Sequence, residues 1–130
     1  MRKETSHFWF GNFKTEEAYF DFVGESEDYY LDDEEDDEKY ISEFARSQGK
    51  HFLDHDFMES GFANEAISFE EKFKIYSYSS QWIKIAKERL ENLNYDLTQI
   101  NTVVFITKEL IKNPVSVDHL LYIGEIEYEI

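Results

Sequence analysis

The period of the hydrophobic pattern changes several times along the chain. His7 to Phe13 places Phe8 and Phe10 on one face and Trp9 on the other, which predicts a first strand. Thr15 then stands where a helix N-cap belongs, and Glu16 and Glu17 occupy the first turn, where the helix dipole favours negative charge. Ala18, Tyr19, Phe22 and Val23 form the apolar stripe of that helix, and Gly24 is placed to end it. The next stretch, about residues 25–38, is acidic and broken only by Tyr29-Tyr30-Leu31, which predicts a surface loop. A second helix is expected from about Asp37 to Gln48, with Tyr40, Ile41, Phe44 and Ala45 on one face and Gly49 as its stop signal.

His51 to Phe57 fits a strand and an irregular segment equally well. Ser68 and Glu71 have capping-box spacing and open a short helix. The strongest helical pattern runs from about Ser80 to Leu93, with Trp82, Ile83, Ala86, Leu90 and Leu93 as its core stripe. One of the serines at 77, 79 and 80 is expected to cap it. Val103-Val104-Phe105-Ile106 is a continuous apolar run, the mark of a strand covered on both faces. A turn at Asn113-Pro114 precedes Leu120–Ile130, where Glu125, Glu127 and Glu129 alternate with Ile126 and Tyr128, as in a half-exposed strand. The fold class is α+β: a mostly antiparallel sheet packed against several helices.

Length and composition add that residues 1–130 form one small domain. With 12 Phe, 9 Tyr and 2 Trp, aromatic side chains supply the bulk of the core, which separates this chain from a disordered acidic tail. It has no cysteine, hence no disulfide framework. Phe8-Trp9-Phe10 is too short for a signal sequence, and no segment approaches a membrane span, so a cytoplasmic location is expected.

Charge changes the picture most. The formal net charge is −16, and Asp32-Asp33-Glu34-Glu35-Asp36-Asp37-Glu38 are seven consecutive carboxylates. Extended, that run spans about 20–25 Å. It argues against direct binding of nucleic acid or an anionic membrane, which need clustered Lys and Arg. It reads as a solvated loop that aids solubility, or as a docking surface for a cationic protein. It lacks the alternating ligands and central glycine of a calcium-binding loop.

His51, Asp54, His55, Asp56 and Glu59 are a second constellation, of residue types that bind metals. Their spacing is a poor match. In an extended segment His55 points away from Asp54 and Asp56, and in a helix the residue after His51 is Phe52 where a glutamate would be required. His7 and His119 are the other histidines, and a polar cluster bonded to backbone fits this stretch better. Ser77-Tyr78-Ser79-Ser80 has no nucleophile elbow around it, and the five glycines form no phosphate loop. No enzyme and no cofactor are expected.

Three segments taken together carry a family resemblance: Phe8-Trp9-Phe10-Gly11-Asn12-Phe13-Lys14 followed by Glu16-Glu17, then Ser47-Gln48-Gly49 through Leu53-Asp54-His55-Asp56-Phe57, then Ser77-Tyr78-Ser79 before a long helix. In that order, with an acidic region between the first two, they resemble the Immunity protein 22 family of bacterial polymorphic toxin systems, over most of the chain to about Gly124. The resemblance implies a protein that binds and neutralises a toxin encoded beside it, often a nuclease, with no catalytic residues of its own. A basic nuclease-type toxin domain would be drawn to the acidic surface. The expected contact residues are Asp32, Asp33, Glu34, Glu35, Asp36 and Asp37, with Asp54 and Asp56 beside them and Tyr29 and Tyr30 as aromatic anchors. Two alternatives remain: a metal-dependent hydrolase built on the His/Asp cluster at 51–56, and an acidic mimic of nucleic acid.

Overall fold

Strand pairing organises the molecule, in a computed structural model that describes residues 2–26 and 40–130. The first strand, β1 (Lys3–Gly11), lies between β3 (Thr102–Thr107) and β4 (Leu120–Glu129), and β2 (Met58–Phe62) pairs with the other side of β3. The order is therefore β2-β3-β1-β4, with every pairing antiparallel. Helix α1 is Glu16–Val23, α2 is Glu43–Ser47, α3 is Phe69–Phe73 and α4 is Ser79–Asn92. Fold class is α+β.

Alternation in β1 explains the layering. Phe8 and Phe10 face one side, where they pack with Phe105, Ile126, Phe73 and the Trp82-Ala86-Leu90 stripe of α4. Trp9 faces the other, against Val104, Ile106, Tyr19 and Val23 of α1 and Phe44 and Ala45 of α2. The sheet is thus covered on both faces, and both cores are built on aromatic rings. Phe8 stacks on Phe105 at 4.7 Å between centroids, and Trp9 meets Phe44 edge-on at 4.9 Å. Each buried indole satisfies its N–H on a loop carbonyl, Trp9 on Val115 at 2.9 Å and Trp82 on Ser77 at 2.8 Å.

Several expectations hold at the level of single residues. Thr15 caps α1 by accepting from Ala18 N–H, and Ser68 caps α3 by accepting from Glu71 N–H. The run 103–106 is buried on both faces. Ile126 and Tyr128 of β4 are buried while Glu125, Glu127 and Glu129 are exposed.

Four expectations need correction. The first strand begins at Lys3, because β4 is long enough to pair with it down to Glu129 opposite Lys3. Helix α2 starts at Glu43, since Ser42 accepts from Ala45 N–H and caps it there; Tyr40 and Ile41 precede it in non-helical chain, and 37–39 fall outside the described residues. No serine caps α4: Tyr78 occupies the cap in a left-handed conformation (φ 59°), and Ser79 instead donates its hydroxyl to the Lys74 carbonyl at 2.6 Å. Leu93 is 52 % exposed, because the chain leaves the helix there and reverses through Asn94 at φ 63°. His51–Phe57 resolves as irregular chain ending in a single 3₁₀ turn, His55–Phe57.

Candidate partner-binding flank

Tyr29, Tyr30, Asp32, Asp33, Glu34, Glu35, Asp36 and Asp37 lie outside the described residues, but both ends of their segment are placed. Ser26 N–H donates to the Ile41 carbonyl at 2.6 Å, and Ile41 N–H donates to the His51 carbonyl at 2.8 Å. Tyr40 stacks on the His51 ring at 4.5 Å between centroids, with the Arg46 guanidinium 5.7 Å from the Tyr40 ring centre. On the other side of this base, Nδ1 of His55 is 3.5 Å from a carboxylate oxygen of Glu25. The described residues on either side of the acidic segment, Glu25 and Tyr40, therefore both lie against residues 51–57.

The same contacts separate the two aspartates. Asp54 is half-buried and caps the 3₁₀ turn by accepting from Asp56 N–H at 3.0 Å. Asp56 is exposed, and next to it Phe57 is 62 % exposed. Asp54 thus shapes the turn, and Asp56 with Phe57 is what the turn presents. Beyond Phe57 the chain enters β2. Glu59 accepts from both the backbone N–H and the hydroxyl of Ser77, at 3.2 and 2.8 Å, tying β2 to the loop before α4. Between them opens a cleft of about 400 Å³, with Glu4, Asp56, Phe57, Glu59 and Tyr78 in its lining. Burial pushes the Tyr19, Tyr76 and Tyr128 hydroxyls up from their ordinary pKa, and the nearby Glu59 carboxylate adds to the rise at Tyr76 and Tyr128.

His7 and His119 find structural partners, whereas Nε2 of His55 is buried without a hydrogen-bond partner among the described residues. His7 is buried. Its Nε2 donates to the Ile111 carbonyl at 2.8 Å, which leaves Nδ1 to accept from the Tyr122 hydroxyl at 2.8 Å. His119 stacks on Phe13. Among the described residues no three His, Asp or Glu side chains come together as a metal site. The hydrolase alternative finds no geometric support at His51, Asp54, His55 and Asp56. Sequence reading missed β2 altogether and, with it, the role of Glu59. The only local signal was the weak alternation around Ser60-Gly61, which carries no β-branched residue.

Fold and flank together define a small α+β domain whose acidic segment is rooted beside an exposed aromatic turn. The chain belongs to the Immunity protein 22 family, which it matches over residues 7–129. Membership supports a toxin-neutralising immunity role, with a toxin as binding partner and the part of an inhibitor rather than an enzyme. No curated protein and no solved structure matches the chain. No helix among the described residues is long and apolar enough to cross a membrane.

Proposed function

We propose that this protein neutralises a basic, nuclease-type toxin domain in the cytoplasm by stoichiometric binding, with the acidic segment and the adjoining turn as its contact surface. The supporting observation is the shared base. The Ser26–Ile41 bond and the His55–Glu25 contact bring the ends of the segment holding Asp32–Asp37 to the turn that carries Asp54 and Asp56. A nuclease toxin must carry cationic groups for phosphates, and an acidic cover attracts that surface while competing with nucleic acid for it. Tyr29 and Tyr30, within the segment, would supply apolar contact area among the charges.

The test is kinetic. The toxin domain encoded beside this chain, made catalytically inactive, is titrated against the wild-type protein and against a variant with Asp33, Glu34, Asp36 and Asp37 changed to lysine. Tight one-to-one binding is expected from the wild type. The variant should associate at least about tenfold more slowly at low ionic strength, with a weaker dependence on salt. Equal association rates would remove the acidic segment from the contact surface. Binding to a panel of unrelated DNA-binding proteins as tightly as to the toxin would replace the immunity reading with nucleic-acid mimicry.

A further inference from the structure

The two edges of the sheet are treated differently. On β4 part of the outward edge is bonded from α4: Arg89 donates to the carbonyls of Ile123 and Glu125 at 3.1 and 2.8 Å. Gln81 donates to the Glu129 carbonyl and accepts from its N–H, both at 2.8 Å. An open edge invites pairing with another chain, and side chains laid across it prevent that.

Among the described residues the β2 edge has no such cover. Ala63 N–H donates to the Asn101 carbonyl at 2.7 Å, so that carbonyl points toward the β2 side of β3. Two-residue alternation then makes Gly61 and Glu59 the positions bonded to β3 and turns the backbone N–H and C=O of Ser60 and Phe62 outward. Among the described residues no side chain bonds these groups, and Ser60 and Phe62 are only half-buried. Tyr19 and Tyr76 flank the strand without closing it: the Tyr19 hydroxyl meets the Ser60 hydroxyl at 2.6 Å, and the Tyr76 ring lies against Gly61.

We propose that the free edge of β2 is the toxin's docking strand, taking an extended, lysine- or arginine-bearing segment of the toxin domain as a fifth strand. This rests on the immunity reading and names the surface it uses. Charge selects the occupant. Asp56 and Glu59 stand at the entrance to this edge, the acidic segment is rooted beside it, and Phe57 offers an exposed ring next to them. A cationic strand would gain main-chain hydrogen bonds from β2 and charge pairing from its rim. A second copy of this chain fits poorly, since two copies that each carry a net charge of −16 repel one another.

Ser60→Pro is the discriminating variant. It deletes an outward N–H that β3 does not use, and proline is tolerated at such an edge position. Ser60→Ala keeps the N–H and removes only the hydroxyl. Against the inactivated toxin domain, Ser60→Pro should weaken binding about tenfold or more, and Ser60→Ala by less than about threefold. Hydrogen exchange on the wild-type protein needs no substitution: the Ser60 and Phe62 amides should slow on adding toxin. Fast exchange of both amides in a saturated complex, or full affinity in a folded Ser60→Pro protein, would overturn the docking strand while leaving toxin neutralisation intact. A wild-type dimer abolished by Ser60→Pro would assign the edge to self-association instead. Failure of the wild-type protein to bind the toxin would overturn the immunity reading itself.

Discussion

Asn101 ties the chain after β1 to the start of β3, and its replacement tests how tightly polar satisfaction holds this fold. It is 3 % exposed. Its amide donates to the Phe13 carbonyl at 2.8 Å and accepts from the Phe13 N–H at 3.0 Å and from the Thr102 hydroxyl at 2.8 Å. Asn101→Ala strands both backbone groups of Phe13 in a buried site. At about 1–3 kcal/mol for each unpaired buried group, the two together cost about 2–6 kcal/mol. That is a large part of the roughly 5–15 kcal/mol that stabilises a domain. Asn101→Asp is a sharper probe, because a carboxylate keeps the acceptor but confronts the Phe13 carbonyl. Burial raises its folded pKa above the unfolded value of about 3.9, so stability is retained below that pH and lost as pH rises through the folded pKa. Urea unfolding at pH 4 and pH 7 reads both effects. An Ala variant within about 1 kcal/mol of wild type, or an Asp variant with a pH-independent deficit, would refute the reasoning.

Other substitutions probe separate parts of the structure. A Cβ at Gly61 would lie 1.4 Å from the Tyr76 hydroxyl oxygen, so Gly61→Ala must displace that ring and should lower stability by about 1–3 kcal/mol; an unchanged urea midpoint would contradict it. The Lys87 ammonium, 2.6 Å from Glu70, holds the Glu70 carboxyl below its ordinary pKa of 4.5. This contribution is present above that value and lost as pH falls through the lowered folded pKa. Glu70→Gln should therefore flatten the acid limb of the stability profile, and an identical limb in both proteins would exclude it.

Much of the fold was legible because local and tertiary signals agreed. Phe8 and Phe10 sit in one core and Trp9 in the other, as the two-residue repeat of a strand requires, and Thr15 and Ser68 cap the helices their spacing predicts. The misreadings arise where a long-range partner decides. Met58–Phe62 carries a Gly and two polar residues, and it is a strand because β3 offers a register for it and Tyr76 fills the space beside Gly61. Lys72, on the short helix that Ser68 opens, is 6 % exposed and donates to the Ile100 carbonyl at 2.8 Å, a distant partner that no local pattern shows. Desolvation pushes the pKa of that ammonium down. At the candidate site, Asp54 and Asp56 stood out by composition alone. Nothing local distinguished the one that caps a turn from the one that faces water, because the difference lies in an Asp56 N–H that only the folded turn aims at Asp54.

Salt separates what the charge does for the fold from what it does for the partner. At a net charge of −16, intramolecular repulsion opposes the compact state, and the aromatic cores must outweigh it. The screening length falls from about 30 Å at 0.01 M salt to about 10 Å at 0.1 M, so added salt relieves repulsion between carboxylates spread over the surface. The melting temperature should therefore rise with ionic strength over this range. Association with a cationic toxin should slow over the same range, because the same screening weakens steering. A solubility role alone predicts the first trend without the second. Charge reversal at Asp33, Glu34, Asp36 and Asp37 lowers the net negative charge by eight, from −16 to −8, and should raise the melting temperature at low salt whichever role holds. Only a docking role makes it also slow association. A variant that is stabilised at low salt yet associates with the toxin as fast as wild type would confine the acidic segment to solubility.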